Sequence, residues 1–247
     1  MEIVVVRHPA VAIEAGICYG QSDVPLAGSA ADFAKALPAR LDRLGGARVQ
    51  WIDTSPLSRC SSVASELAAH YGLPAREDTD LLELDYGAWE LANWDTVDRA
   101  ELDAWAADLE HGRPHGGESA AMLAARVERW VADAVKRMTA GGESHPRPQD
   151  AVMSMHKREV SSDVQGTPSP TRPSPPGVAA VAHRGVLAIT HGGVIRTLAS
   201  YLLGEPIAAS LRRPLGYGAL CRFVCQSGEG AQGSSKWTLE TWDHQDV

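Results

Sequence analysis

The amino-acid sequence predicts an α/β fold of three layers, in which helices cover both faces of a mostly parallel sheet. Three short apolar runs rich in β-branched residues carry this prediction, because strands buried on both faces of a parallel sheet have that composition. The runs are IVVV at 3–6, VQWID at 49–53 and VLAIT at 186–190. Segments with apolar residues at helical spacing follow each run, and this alternation is typical of parallel α/β sheets.

The helices predicted between the strands have recognisable starts and stops. The first covers about 29–44 and contains Pro38, which predicts a kink or break. The second begins with Ser55 as N-cap and Pro56 at the first helical position, and it stops at Gly72. Further helices are predicted at 97–110, 118–138 and 191–204, and two late strands near 218–225 and 236–242.

The composition is that of a globular chain with a sizeable core. Of its 247 residues, 44% are hydrophobic and 22% charged, and the net charge is −8 without any basic block. This balance argues against nucleic acid or an anionic membrane surface as the main partner. The sequence shows no secretory signal pattern and no run approaching the length of a membrane span, so we expect a cytoplasmic location.

One long segment departs from the globular pattern. Residues 139–184 are dense in proline, serine and glycine and contain few large apolar side chains. Such a composition cannot bury enough apolar surface to offset the entropy lost on ordering. The sequence therefore predicts a single domain over 1–247 that carries a flexible insertion at about 139–184.

Polar side chains follow the predicted strands where each strand ends. Arg7 and His8 follow the first strand, Arg59 lies in the first turn of the helix after the second, and His191 follows the third. Glu83 lies in or just after a short extended segment. Ligands of open α/β sheets bind at the carboxyl ends of the strands. If the three strands are parallel neighbours, these side chains converge at one edge of the sheet.

This combination of side chains is suited to phosphoryl transfer. Arginine pairs with phosphate oxygens in a bidentate manner, and a helix N-terminus adds N–H donors. A neutral imidazole can attack phosphorus, and a carboxylic acid can protonate the leaving alkoxide. The four cysteines, at 18, 60, 221 and 225, form no C-x-x-C pair, and no metal-ligand cluster is visible. We therefore expect a small-molecule phosphate monoester as partner, with no metal and no cofactor.

Six motifs occur in the order found in one family. They are RHP after the first strand, GQSDVPL (20–26), SPLSR (55–59), LLELDYGAWE (81–90), GGES (116–119) and THGGVIR (190–196). On these motifs the sequence resembles the histidine phosphatase superfamily, which has the phosphoglycerate-mutase-like fold. The resemblance covers residues 1 to about 138 and 185 to about 225.

The resemblance implies a role for each polar residue at the strand ends. His8 is implied as the nucleophile that becomes a phosphohistidine. Arg7, Arg59 and His191 are implied to hold the phosphate during catalysis. Glu83 is implied as the acid that protonates the leaving group and then activates water.

The sequence departs from the family pattern next to the nucleophile. Pro9–Val11 stand where the family usually has Gly-Glu-Thr, which removes a hydroxyl and an acidic group beside the phosphate. Ser22 and backbone amides near Gly20 are candidates to replace those contacts. Asp85 and Glu90 compete with Glu83 for the acid role, because geometry decides such assignments.

The substrate is less well defined than the chemistry. The run GICYGQSDVPL at 16–26 looks most like that of alpha-ribazole phosphatases, which implies alpha-ribazole 5′-phosphate as substrate. A broad sugar-phosphate or nucleotide phosphatase and a phosphoglycerate-mutase-type phosphotransferase are the alternative enzymes. The altered first motif and the insertion also leave open a phospho-ligand binding protein that has lost turnover.

Overall fold

The three-layer α/β fold is confirmed by the computed structural model, which describes residues 1–44, 48–140, 184–226 and 236–242. Six strands form one sheet: β1 Glu2–Arg7, β2 Val49–Thr54, β3 Ala75–Glu77, β4 Gly185–Thr190, β5 Leu220–Gln226 and β6 Lys236–Thr241. The helices are α1 Ala30–Arg43, α2 Ser58–Tyr71, α3 Arg99–Ala107, α4 Ala120–Thr139, α5 Gly192–Leu203 and α6 Ile207–Leu211. Short 3-10 turns lie at Thr79–Leu81, Gly87–Trp89 and Trp94–Thr96.

The three strands predicted to be neighbours lie side by side. The strand order is β3-β2-β4-β1-β5-β6, and β1 and β2 both pair with β4 in parallel. In this register Arg7 lies opposite Thr190, and the backbone N–H of His8 donates to the Thr190 carbonyl at 2.9 Å. β5 and β6 pair antiparallel at one side. The carboxyl ends of β1, β2 and β4 therefore meet at one edge of the sheet.

The central strands β1 and β4 are buried on both faces, and each face of the sheet has its own core. Successive side chains of β1 point to opposite faces, so Val4 and Val6 pack with α1 and α2, whereas Ile3 and Val5 pack with α4 and α5. All four are at most 1% exposed. This burial explains why the middle of β1 is a continuous apolar run and does not alternate with polar residues.

Helix α1 continues through Pro38, so the predicted break is wrong. The hydroxyl of Ser29 accepts from the backbone N–H of Asp32 and caps the helix. Leu37 and Leu41 on either side of the proline are fully or almost fully buried against the sheet. Their packing holds the helix together despite the backbone hydrogen bond that proline cannot donate.

Helix α2 begins two residues later than predicted. Ser55 is not its N-cap; the helix starts at Ser58, and Asp23 caps it by accepting from the Ser58 backbone N–H and hydroxyl, both at 2.8 Å. Gly72 ends the helix in the left-handed conformation, as predicted. The Ser55 hydroxyl instead bonds to His191.

The remaining predictions concern the second half of the chain. α3 is shorter than the predicted helix over 97–110, while α4 and α5 match their predicted segments. The insertion predicted at 139–184 lies almost wholly outside the described residues, so it stays a prediction, as does the single domain over 1–247. Among the described helices, none is long and apolar enough to cross a membrane.

A buried carboxylate ties α4 to the sheet. Asp53 is 0% exposed near the end of β2, and its side chain accepts hydrogen bonds from three residues. Arg76 donates at 3.1–3.2 Å, Trp130 Nε1 at 2.9 Å and Arg137 at 2.5–3.3 Å. A buried carboxylate is stable only when it is paired in this way.

Removing this carboxylate should destabilise the fold. We predict that Asp53→Ala lowers the free energy of unfolding in urea by about 3 kcal/mol, because Trp130 Nε1 loses its acceptor and the guanidinium groups of Arg76 and Arg137 each lose one of theirs. Asp103→Ala is the matched control, since Asp103 pairs with Arg99 only at the surface, and it should change the free energy by less than about 0.5 kcal/mol. Equal effects of the two substitutions would contradict the role of Asp53.

Candidate active site

His8 lies at the end of β1 and is 2% exposed. Its Nδ1 lies 2.7 Å from the carbonyl oxygen of Pro9. Because a carbonyl can only accept, Nδ1 carries the proton, and the lone pair is on Nε2. Burial lowers the pKa of His8 from 6.5 to about 3, and the nearby Arg59 and Arg7 contribute to the lowering. At neutral pH the imidazole is therefore uncharged and in one tautomer.

Two arginines line the same cavity as this histidine. Arg59 is fully buried and donates to the carbonyls of Ser22 and Gly20, at 2.7 and 2.5 Å. Arg7 donates through Nη1 to the Leu215 carbonyl at 2.6 Å. Its Nε is buried and has no hydrogen-bond partner within the described part of the chain. The Arg7 guanidinium thus presents an unused donor at the carboxyl edge of the sheet.

His191 lies behind His8 and bonds only to protein groups. The two rings are 5.2 Å apart between centroids, and His191 is 0% exposed. Its Nδ1 accepts from Arg59 Nε at 3.3 Å, so Nε2 carries the proton and donates to the Ser55 hydroxyl at 2.8 Å. Burial keeps the pKa of His191 well below its usual value. Both ring nitrogens therefore bond to protein groups, and the phosphate contact expected of His191 stays a prediction.

Ser22 bonds to Glu90 and Arg59, and its expected phosphate contact stays a prediction. Its hydroxyl and its backbone N–H both donate to Glu90, at 2.5 and 3.1 Å, and its carbonyl accepts from Arg59. Glu90 accepts further backbone hydrogen bonds from Gly20, Gln21 and Tyr86. Burial raises the pKa of Glu90, but these hydrogen bonds outweigh burial and keep the pKa below its usual value. Ser22 and Glu90 therefore hold the loop that contains the acceptors of Arg59.

Glu83 faces the cavity beside His8 and is held in one orientation. Its two carboxylate oxygens accept from the backbone N–H groups of Leu84, at 2.9 Å, and Gly193, at 3.0 Å. Arg126, which is nearly buried in α4, donates to the Glu83 carbonyl at 2.8 Å. Of the three carboxylates considered for the acid role, only Glu83 lines the cavity; Asp85 accepts from the Gly87 N–H in a turn.

Two tyrosines meet over the arginines. The hydroxyls of Tyr19 and Tyr217 are 2.6 Å apart, although the residues come from different loops. The Tyr217 ring lies 4.1 Å from the Arg7 guanidinium carbon, and the Tyr19 ring lies 5.4 Å from that of Arg59. Cation–π contact with each ring stabilises the two arginines in place.

These side chains line one cavity of about 390 Å³. Arg7, His8, Arg59 and Glu83 form one part of its wall, and the glycines that begin α5 adjoin them. The N-terminus of α5 adds the positive end of a helix dipole. His191 and Ser22 do not line this cavity. No group of three or more His, Cys, Asp or Glu side chains suited to a metal is present among the described residues.

Several residues of the site are not among the site residues that the sequence predicts, although Ser55 and Arg196 lie within two of its motifs. Ser55 holds the second histidine, Arg126 holds the Glu83 loop, and Arg196 and Arg212 also line the cavity. The serine has the residue type of a helix cap, and Arg126 looks like one more charge on an amphipathic helix. These residues contact residues that are far away in the sequence, and the spacing of residues within a motif does not predict such contacts. Cys18 also lines the cavity, where burial raises the pKa of its thiol to about 12.

Comparison with known proteins identifies the family of the chain. The model of the histidine phosphatase superfamily, branch 1, matches residues 3–155 and 178–238. The chain belongs to the histidine phosphatase superfamily. Glucosyl-3-phosphoglycerate phosphatase of Mycobacterium tuberculosis is 29% identical over 213 residues, which are 83% of this chain and 78% of that protein. A probable phosphoglycerate mutase of Cronobacter sakazakii is 28% identical over 222 residues, which are 90% and 82% of the two chains.

Solved structures of other members share the fold. The native mycobacterial glucosyl-3-phosphoglycerate phosphatase matches with a TM-score of 0.70 at 24% identity, covering 99% of each chain. The alpha-ribazole phosphatase of Shigella flexneri matches with a TM-score of 0.67 at 20% identity, covering 99% of this chain and 96% of that one. Membership of the family and the named relatives, and not these distant structures, identify the chain as an enzyme of the phosphatase type.

The orientation of Glu83 depends on the absence of a side chain at Gly193. A Cβ atom there would lie 2.2 Å from Glu83 Oε1. We predict that Gly193→Ala lowers kcat/KM for an alkyl phosphate by at least about tenfold, because the carboxylate is displaced from its productive position. Gly28→Ala is the control, since a Cβ at Gly28 meets nothing within 4 Å, and it should leave kcat/KM unchanged. Unchanged activity of Gly193→Ala would contradict this positioning.

The low pKa of His8 should appear in the pH dependence of stability. Below pH 6.5 the unfolded chain binds a proton at His8, whereas the folded chain, with a pKa of about 3, does not. Stability therefore falls on acidification, by about 2 kcal/mol between pH 7 and pH 5 for this group. We predict that wild type loses about 2 kcal/mol more than His8→Gln over this range in urea unfolding. Equal losses would mean that folded His8 is protonated.

Proposed function

We propose that this histidine phosphatase hydrolyses phosphate monoesters through a phosphohistidine at His8. The observation that carries the proposal is a neutral imidazole that shares a cavity with two arginines, donates its Nδ1 proton to the Pro9 carbonyl and leaves Nε2 unprotonated. In the first step Nε2 forms a bond to phosphorus while the bond from phosphorus to the leaving oxygen breaks. Arg7 and Arg59 stabilise the charge on the transferred phosphoryl group.

Glu83 is proposed to handle the protons of both steps. Its carboxyl gives a proton to the leaving alkoxide in the first step. In the second step the carboxylate takes a proton from water, the water oxygen bonds to phosphorus, and the bond from phosphorus to His8 Nε2 breaks. The hydrogen bonds to Leu84 and Gly193 keep the carboxylate in one orientation for both transfers.

His191 and Ser22 are proposed to act mainly through Arg59. His191 Nδ1 and the Ser22 carbonyl both accept from this guanidinium. Direct contact between His191 Nε2–H and phosphate would require that proton to leave the Ser55 hydroxyl. We propose that Arg7 Nε, which is buried and unpaired among described residues, supplies a phosphate donor in place of the hydroxyl that Pro9–Val11 do not have.

The finer proposal is that the substrate is alpha-ribazole 5′-phosphate, which rests on the run GICYGQSDVPL at 16–26. Glucosyl-3-phosphoglycerate is a second candidate, since a relative is named for it and Arg196 and Arg212 line the cavity. These arginines can pair with a second anionic group of a substrate. We expect a cytoplasmic enzyme that acts on small molecules.

The proposal is tested by phosphate release from a panel of monoesters. The panel contains para-nitrophenyl phosphate, alpha-ribazole 5′-phosphate, glucosyl-3-phosphoglycerate, 3-phosphoglycerate and ribose 5-phosphate. We predict that His8→Ala loses turnover on all of them, and that Glu83→Gln lowers kcat/KM by about 100-fold on alkyl phosphates and by much less on para-nitrophenyl phosphate.

The controls are His70→Ala and Glu66→Gln, because both side chains are exposed on α2. Neither should change kcat/KM. Full activity of His8→Ala would disprove the nucleophile. Equal losses of Glu83→Gln on good and poor leaving groups would remove Glu83 from the acid role. Binding of phosphate monoesters without any release by wild type would favour a phospho-ligand binding protein.

A further inference from the structure

The cavity has a second part that the phosphoryl chemistry does not use. Beyond the arginines, His8 and Glu83, its wall is mainly apolar and aromatic. The leaving group of a substrate bound with its phosphate at His8 must lie against this wall. We call this part the apolar wall, and it consists of Ile17, Cys18, Leu84, Tyr86, Trp94, Trp105, Leu109, Ala120, Leu123 and Leu211.

Two tryptophans form the flat side of the apolar wall. The rings of Trp94 and Trp105 are 6.4 Å apart between centroids, and their planes differ by only 15°. Tyr86 packs edge-on to both, at 5.7 and 6.2 Å. Both tryptophans remain partly exposed while they line the cavity. Flat aromatic surfaces of this kind bind other flat apolar rings by offset or edge contacts.

The elements that carry these tryptophans are not part of the core. No residue of α3, which carries Trp105, is buried, and none of the 3-10 turn that begins with Trp94 is buried. Trp89 is the buried member of the cluster, with 3% exposure, and its Nε1 donates to Glu101 on α3 at 2.9 Å. Trp89 thus packs against Trp94 and Trp105 on the buried side of the cluster. Core packing explains the tryptophan at 89 but not the tryptophans at 94 and 105.

We propose that the apolar wall is a leaving-group subsite for a flat, apolar ring, with Trp94 and Trp105 as specificity-determining residues. This inference rests on the proposed phosphatase function. A polyol or sugar would need a hydrogen-bond partner for each buried hydroxyl, and the wall offers only the Tyr86 hydroxyl and the indole N–H groups of Trp94 and Trp105 beside aliphatic side chains. A flat ring needs only the area that the two tryptophans and their aliphatic neighbours offer.

The test compares three primary alkyl phosphates, so that the reacting bond is the same in each. They are 2-phenylethyl phosphate, ethyl phosphate and glucose 6-phosphate. We expect kcat/KM for 2-phenylethyl phosphate to exceed that for ethyl phosphate by about tenfold or more, because the ring is removed from water. Glucose 6-phosphate should show no such gain. A preference for glucose 6-phosphate, or no preference at all, would overturn the proposed subsite.

Substitutions at Trp105 test whether the tryptophans cause the preference for 2-phenylethyl phosphate. Trp105→Ala should reduce the ratio of kcat/KM between 2-phenylethyl and ethyl phosphate to near one, and Trp105→Phe should restore part of it. Leu102→Ala is the matched control, because Leu102 lies on the same helix and does not line the cavity; it should keep the wild-type ratio. An equal fall for both substrates in Trp105→Ala would indicate general damage to the site and overturn the assignment.

A binding measurement separates this inference from the proposed function. Calorimetry with the His8→Ala protein should show tighter binding of 2-phenylethyl phosphate than of ethyl phosphate, by about tenfold. If wild type releases no phosphate from any substrate while this binding preference persists, the hydrolytic proposal fails and the subsite stands. If wild type is active and neither binding nor kcat/KM favours the ring, the subsite fails and the hydrolytic proposal stands.

Discussion

The site is organised around one fully buried cation, Arg59. A guanidinium removed from water must find acceptors for its N–H groups, and here it uses the carbonyls of Gly20 and Ser22 and the ring of His191. Within the described ranges it has no ion-pair partner. Its charge is therefore solvated by dipoles and not cancelled. This leaves positive potential at the carboxyl edge of the sheet, which favours a bound anion.

The buried Arg59 guanidinium determines the arrangement of the residues around it. Glu90 accepts from the backbone of the 20–22 loop, which keeps the carbonyl acceptors of Arg59 in place. The bond from Arg59 Nε decides which nitrogen of His191 carries the proton. Both arginines oppose protonation of His8, in addition to the larger effect of burial. The burial of Arg59 thus requires an ordered 20–22 loop, selects the tautomer of His191 and helps to keep His8 neutral.

The parts that the sequence predicts correctly depend on local pattern. Buried parallel strands need continuous apolar runs, so β1, β2 and β4 are visible, and Gly72 marks the end of α2 because its backbone is left-handed. The predictions fail where tertiary contacts decide. Ser55 has the residue type of a helix cap, but its hydroxyl bonds to His191, which lies 136 positions away. Pro38 has the residue type of a helix breaker, but the sheet holds its helix together.

The family motifs identify the candidate residues but not their contacts. They point to His8, Arg59 and Glu83, although the residues directly after His8 depart from the family pattern. They also suggest phosphate contacts for His191 and Ser22, whose polar atoms bond to protein groups in the structure. The sequence does not reveal the paired tryptophans of the apolar wall, since aromatic residues look alike whether they fill a core or line a cavity.

The central claim is that His8 Nε2 accepts the phosphoryl group. The most direct test is to mix the protein with ³²P-labelled para-nitrophenyl phosphate, quench within milliseconds in alkali and locate the label by peptide mass spectrometry. The account predicts one acid-labile, alkali-stable phosphate on the peptide that contains His8, and none in His8→Ala. Rapid turnover with no trapped phosphate, or a phosphate on another residue, would contradict it.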